Sequence, residues 1–109
     1  MTTTRGLRER DDPITMLTAY DAPTAAIVDE AGIDVVLVGD SMGNAALGYD
    51  STLPVTFDEV ASRTAAVARA TEDALVVADM PFLSFGVDEA ESVRNAGRLL
   101  KEANADAVK

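Results

Sequence analysis

Three apolar runs in this chain each deliver an aspartate where the run stops. Ile14 to Tyr20 is followed by Asp21, Val35 to Val38 by Gly39 and Asp40, and Leu75 to Ala78 by Asp79. A carboxylate at the carboxyl end of a buried parallel strand stands where α/β enzymes keep their chemistry. Ser41 adds a hydroxyl beside Asp40. The chain has no histidine and no cysteine, which removes the commonest general base, thiolate nucleophiles and Cys- or His-based zinc sites. Any metal held by these residues must be bound through oxygen. Asp21 reads differently from the other two, because Pro23 follows it as a residue just inside a helix would, and it is expected to cap that helix. After Asp40 and Asp79 the chain runs through Gly or Pro instead of into a helical pattern.

The elements that must position these residues alternate. Residues 1–13 read as a polar amino-terminal arm or short helix in which Leu7 is the only sizeable apolar side chain after Met1. A first strand from about Ile14 leads to a compact helix that Gly32 stops. The four successive apolar residues Val35 to Val38 suit a strand covered on both faces. A long loop between Met42 and Val55 closes on Thr56, Phe57, Asp58 and Glu59, a capping-box pattern in which Thr56 and Glu59 satisfy the free amides of a first helical turn. Phe57, Val60, Thr64, Val67 and Ala68 form the expected buried stripe of that helix, with Arg63 and Arg69 outside it. The strand Leu75 to Ala78 follows, then a helix opening at Asp88 whose Ala90, Val93, Gly97 and Leu100 fall three or four apart. Asn104 to Lys109 reads as the beginning of a fourth strand. Such alternation means parallel strands joined by right-handed crossovers. No G-x-G-x-x-G follows the first strand, so a dinucleotide fold loses its main support, and carboxylates at successive strand ends favour a (β/α)8 barrel.

With 109 residues and 48% hydrophobic content the chain has the size of one globular domain. No apolar stretch approaches the roughly 20 residues of a membrane span and no signal-peptide core is present, so a cytoplasmic location is expected. The formal net charge of −10 repels phosphate and disfavours nucleic acid and anionic membranes as partners. Spread acidic residues with only two lysines, Lys101 and Lys109, fit a halophilic source. Since a barrel needs about 250 residues, residues 14–109 read as the amino-terminal half of one, stopping within its fourth strand.

The motifs Met16 to Asp21 (Met-Leu-Thr-Ala-Tyr-Asp), Val38 to Gly43 (Val-Gly-Asp-Ser-Met-Gly), Gly48 to Thr56 (Gly-Tyr-Asp-Ser-Thr-Leu-Pro-Val-Thr), Ala78 to Phe82 (Ala-Asp-Met-Pro-Phe) and Ala107 to Lys109 resemble the ketopantoate hydroxymethyltransferase family in order and spacing. The resemblance implies a (β/α)8 TIM barrel of the phosphoenolpyruvate/pyruvate superfamily, assembled as a homo-oligomer and using Mg2+. It implies transfer of a hydroxymethyl group from 5,10-methylenetetrahydrofolate to 3-methyl-2-oxobutanoate, giving 2-dehydropantoate for pantothenate and coenzyme A biosynthesis. Carried over residue by residue, Asp40 and Asp79 resemble the family's metal-binding aspartates. Ser41 resembles the residue that holds the 2-oxo acid carboxylate, and Lys109 the cation that faces that substrate. A further metal-site glutamate, a histidine and the glutamate taken as general base lie beyond Lys109 in the family. No catalytic base is therefore assigned within these 109 residues, and alone they are expected to be inactive.

Two other readings compete. One keeps the barrel and metal but makes the reaction that of a carbon–carbon lyase or mutase of the same superfamily. The absence of a Lys-Cys-Gly-His type loop and the presence of the Ser51 to Thr56 block argue against it. The other is a non-catalytic acidic assembly module, against which the joint presence of Asp40, Ser41, Asp79 and Lys109 counts.

Overall fold

The computed structural model describes residues 1–109. Its elements run α1 (Thr4–Arg8), β1 (Met16–Thr18), α2 (Ala22–Glu30), β2 (Val35–Val38), α3 (Met42–Ala45), α4 (Phe57–Ala70), β3 (Leu75–Ala78), α5 (Glu89–Lys101) and β4 (Ala107–Val108). The strands form one parallel sheet in the order β1-β2-β3-β4, so spatial order equals chain order. Val36 stands beside Leu17 on one side and Val76 on the other, and Ala78 beside Val108. No helix is long and apolar enough to cross a membrane.

Successive strand residues point to opposite faces, and the two faces are covered differently. Val36, Val38 and Val76 pack with Ala25 and Val28 of α2 and Val67 of α4. Ala78 joins Val60 of α4, Leu99 of α5, Met42 and Val55. The alternate residues Val35 and Leu75 bury against Leu7 of α1, while Leu37 and Val77 higher on that face are half-buried. For β2 and β3 the expected cover is thus complete on the helix side and confined to the amino-terminal ends of the strands on the other. The polar arm earns its place through this one leucine: Thr3 caps α1 by accepting from the Gly6 amide at 3.0 Å, and Leu7 is driven between Val35 and Leu75.

Strand β1 is shorter than the apolar run from Ile14 and lies at the sheet edge, with Met16 and Leu17 about half exposed. Asp21 caps α2 as expected, accepting from the Thr24 amide at 2.9 Å with Pro23 in the first turn. Gly32, at φ +83°, ends the helix in a conformation that only glycine adopts without strain. In α4 the residues Val60, Thr64 and Val67 are buried, and the buried Thr64 hydroxyl is satisfied by donating to the Val60 carbonyl at 2.7 Å.

Four local expectations are corrected. The loop from Met42 to Val55 contains the short helix α3. The capping box is only half formed: Thr56 Oγ1 accepts from the Glu59 amide at 3.1 Å, but the Glu59 carboxylate receives the hydroxyls of Thr56 and Tyr49 instead of a backbone amide. Arg63 is not simply outside its helix stripe, since it is half-buried and its Nη1 donates to the Tyr20 carbonyl at 3.2 Å. On α5 the stripe of Ala90, Val93, Gly97 and Leu100 faces outward, and Leu99 enters the core.

Candidate active site at the carboxyl ends of the strands

Aspartates stand at both ends of the sheet, and the two ends use them in opposite ways. Before β2, Asp34 accepts from the Thr15 amide at 3.0 Å, from the Thr15 hydroxyl and from Arg10. Before β4, Asp106 accepts from the Val76 amide at 2.9 Å. At the end of α2, Asp29 receives the amides of Glu72, Asp73 and Ala74 at 2.8 to 3.1 Å and ties that helix to the entry of β3. These carboxylates satisfy backbone donors that would otherwise be unpaired. The Thr15 amide and then Arg10 hold the Asp34 carboxyl below the usual carboxylate range. Burial raises the Asp29 carboxyl, and the three amides reverse this and leave it below that range.

At the carboxyl ends the pattern is different. Asp40 and Asp79 are half-buried, and neither carboxylate accepts a hydrogen bond from the chain. Their backbones are hydrogen-bonded: the Asp79 amide donates to the Val38 carbonyl at 2.8 Å, and the Asp40 carbonyl accepts from the Gly43 amide at 2.9 Å. The Asp79 side chain lies over Gly39, 3.5 Å from where a Cβ on that glycine would stand. Lys109 Nζ is 3.7 Å from Asp79 Oδ2 with most of its side chain exposed, so this pair is a weak, water-screened attraction. No three acidic side chains come together in a metal-sized cluster anywhere in the chain.

Ser41 precedes α3, yet its hydroxyl caps nothing. It meets the Tyr20 hydroxyl at 2.6 Å instead. The sheet therefore brings Asp40, Ser41, Asp79 and Lys109 to adjacent strand ends, and Tyr20 completes the row from β1. Sequence reasoning passed over Tyr20 as the tail of an apolar run; the parallel register that sets it beside the end of β2 is the signal that could have found it. The loop behind Ser41 is held by Tyr49, whose hydroxyl donates to Glu59 at 3.1 Å and whose phenol that carboxylate keeps above its ordinary value. Gly43 is required there, because a Cβ would stand 2.6 Å from Val55 Cγ2.

Chemically, the face offers two carboxylates with free lone pairs, a hydroxyl pair and an ammonium. Oxygen donors of this kind, one or two carboxylates with room for water, suit Mg2+. A recess of about 410 Å³ between α4 and α5 has none of these residues in its walls. Its Arg98 is already engaged by the Phe57 ring at 4.6 Å and by Glu102 at 2.8 Å.

Comparison with known proteins gives a consistent picture. The family described as Ketopantoate hydroxymethyltransferase matches residues 1–109. A 3-methyl-2-oxobutanoate hydroxymethyltransferase from Halobacterium salinarum is 76% identical over 101 residues, covering 93% of this chain and 37% of that protein. That of Natronomonas pharaonis is 79% identical over 99 residues, covering 91% and 37%, and that of Moorella thermoacetica 55% over 105 residues, covering 96% and 39%. The chain thus spans about 37% of the length of the curated relatives it matches. Among solved structures, a phosphoenolpyruvate phosphomutase from Streptomyces platensis subsp. rosaceus superposes with a TM-score of 0.77 at 23% identity, over 95% of this chain and 35% of that one. A phosphonopyruvate hydrolase in complex with oxalate and Mg2+ gives 0.75 at 19%, over 99% and 38%. A 2,3-dimethylmalate lyase, titled a member of the PEP mutase/isocitrate lyase superfamily, gives 0.73 at 18%, over 99% and 37%. At these identities the likeness carries the barrel-type fold and not the reaction.

Proposed function

This chain belongs to the ketopantoate hydroxymethyltransferase family, and from that membership we propose that the complete protein carries a hydroxymethyl group from 5,10-methylenetetrahydrofolate to 3-methyl-2-oxobutanoate, forming 2-dehydropantoate. The observation that carries the reading is the contrast between the two ends of the sheet. Asp29, Asp34 and Asp106 give their oxygens to the fold, whereas Asp40 and Asp79 sit half-buried and accept no hydrogen bond, Asp79 facing only the largely exposed Lys109 ammonium. Desolvating a carboxylate without a partner costs free energy, and a cation-binding role gives that cost a purpose.

Asp40 and Asp79 would hold a Mg2+. When bound, the ion supplies a positive field against the negative charge that develops on the keto oxygen as the C3 proton leaves. Ser41 donates its hydroxyl to the carboxylate of the oxo acid. Lys109 places a point charge near that carboxylate and offsets the repulsion from two aspartates. No residue of this face is a free general base: the Glu59 carboxylate is engaged by Thr56 and Tyr49, and Glu91 lies in the first turn of α5. We assign these residues to binding and charge stabilisation, with deprotonation left to groups outside them. The isolated 109 residues are accordingly proposed to be inactive.

The test is exchange of the C3 proton of 3-methyl-2-oxobutanoate in deuterated buffer, followed by NMR with the complete protein and Mg2+. Mg2+-dependent exchange that is lost on Asp40→Asn or Asp79→Asn supports the reading. Exchange that neither needs the ion nor responds to these substitutions removes the metal assignment.

A further inference from the structure

We propose that Tyr20 is a positioning residue for the 2-oxo acid, whose phenol donates to Ser41 Oγ and so commits the serine proton to the substrate carboxylate. The inference rests on the reading of Ser41 given above. A hydroxyl has one proton and two lone pairs, while a carboxylate only accepts. In the unliganded pair, 2.6 Å apart, either oxygen could be the donor. Once an oxo acid carboxylate faces Ser41, the serine must donate outward, and the phenol is the group left to donate inward. The chain of two hydrogen bonds then runs in one direction and each strengthens the other.

The rest of the structure is arranged to hold the phenol in place. The Ala19 amide donates to the Leu37 carbonyl at 3.2 Å, and the Tyr20 carbonyl receives Arg63 Nη1 at 3.2 Å. Asp21 is fixed as the cap of α2. The half-buried ring packs against the cluster of Met42, Val55, Val60 and Ala78. Every element that touches Tyr20 is therefore anchored, while its hydroxyl and that of Ser41 have no other partner within the chain. A site group whose orientation is set by a packed neighbour meets the geometric demand of substrate alignment.

The experiment measures KM and kcat for 3-methyl-2-oxobutanoate in the complete protein with Tyr20→Phe, Ser41→Ala and the double variant. Each single change is expected to raise KM by about tenfold, the loss of one hydrogen bond to a charged system, with a smaller effect on kcat. The double variant should be no worse than Ser41→Ala, because the phenol acts through that serine. An unchanged KM in Tyr20→Phe with a raised KM in Ser41→Ala overturns the role of Tyr20 and leaves the Ser41 reading intact. An unchanged KM in Ser41→Ala overturns both. Additive losses mean that Tyr20 does not act through Ser41, which also overturns the proposal. Competition by 3-methylbutan-2-one, which keeps the ketone and lacks the carboxylate, separates alignment from damage to the fold. Tyr20→Phe should leave its binding unchanged, and an equal loss for both ligands counts against the proposal.

Discussion

Asp29 and Asp79 carry the same functional group, and substitution should separate their uses. Asp29 serves three amides across a helix–strand junction, so Asp29→Ala is expected to lower unfolding free energy by about 3 kcal/mol. Asp79→Asn and Asp40→Asn, which remove no internal acceptor contact, should leave the melting temperature nearly unchanged. They should cut Mg2+-dependent turnover of the complete protein by about 100-fold or more. Calorimetric melting beside a turnover assay checks both, and a large loss of stability in either asparagine variant would show the carboxylates to be structural. The Asp29 carboxyl also sets an acid limb. Its folded value is depressed below that of the unfolded chain, so its stabilisation is present above the unfolded value of about 3.9 and disappears as pH falls through the folded one. Asp29→Asn should flatten the loss of stability between about pH 5 and pH 2, measured by urea titration. The strand-end positions of Asp40 and Asp79 were legible because a four-residue apolar run stops just before each, whereas the short helix that opens two residues after Asp40 was not. Tyr20 was not, since its partner Ser41 lies beyond the end of the neighbouring strand β2 and only the register brings the two hydroxyls together.

At the scale of elements, α5 shows where pattern reading misleads. Leu99 and Leu100 are adjacent, and either can close a helical stripe. The stripe of Ala90, Val93, Gly97 and Leu100 has the better spacing. Leu99, however, is the residue that fills the space among Met42, Val60, Ala78, Ala103 and Ala105, while Leu100 is 43% exposed. The choice is made by volume available in the sheet–helix layer, which no local pattern contains. Leu99→Ala should therefore cost about 3 kcal/mol and Leu100→Ala under about 1 kcal/mol, as read from denaturant midpoints; equal costs would place both leucines in contact with the core. The strands β2 and β3 were readable to the residue, because a run of four apolar residues bounded by polar ones leaves little freedom. Strand β1 was overestimated in length, because its apolar run continues past the few residues that find a ladder partner at the sheet edge.

The whole molecule carries a formal charge of −10 on 109 residues, and its few internal ion pairs leave most acidic side chains facing water. Self-repulsion of that size weakens the compact state, and added salt screens it, the Debye length shrinking from about 10 Å at 0.1 M to about 3 Å at 1 M. Thermal melts between 0.1 and 2 M NaCl should rise by about 5 °C or more, and a flat or falling series would show that repulsion does not limit stability. The parallel architecture was visible from alternation alone, because right-handed crossovers leave few other arrangements. The shallow, one-sided cover of the sheet's second face was not, as it depends on how far the short α1 reaches.

Strand order that equals chain order also sets a timetable. A ribosome extends a chain by about 5–20 residues per second, and each new strand of this sheet finds its neighbour already made. Tyr20 is synthesised before Ser41, and Asp40 before Asp79. The residues of the candidate site are thus synthesised in the same order in which their strands line up across the sheet.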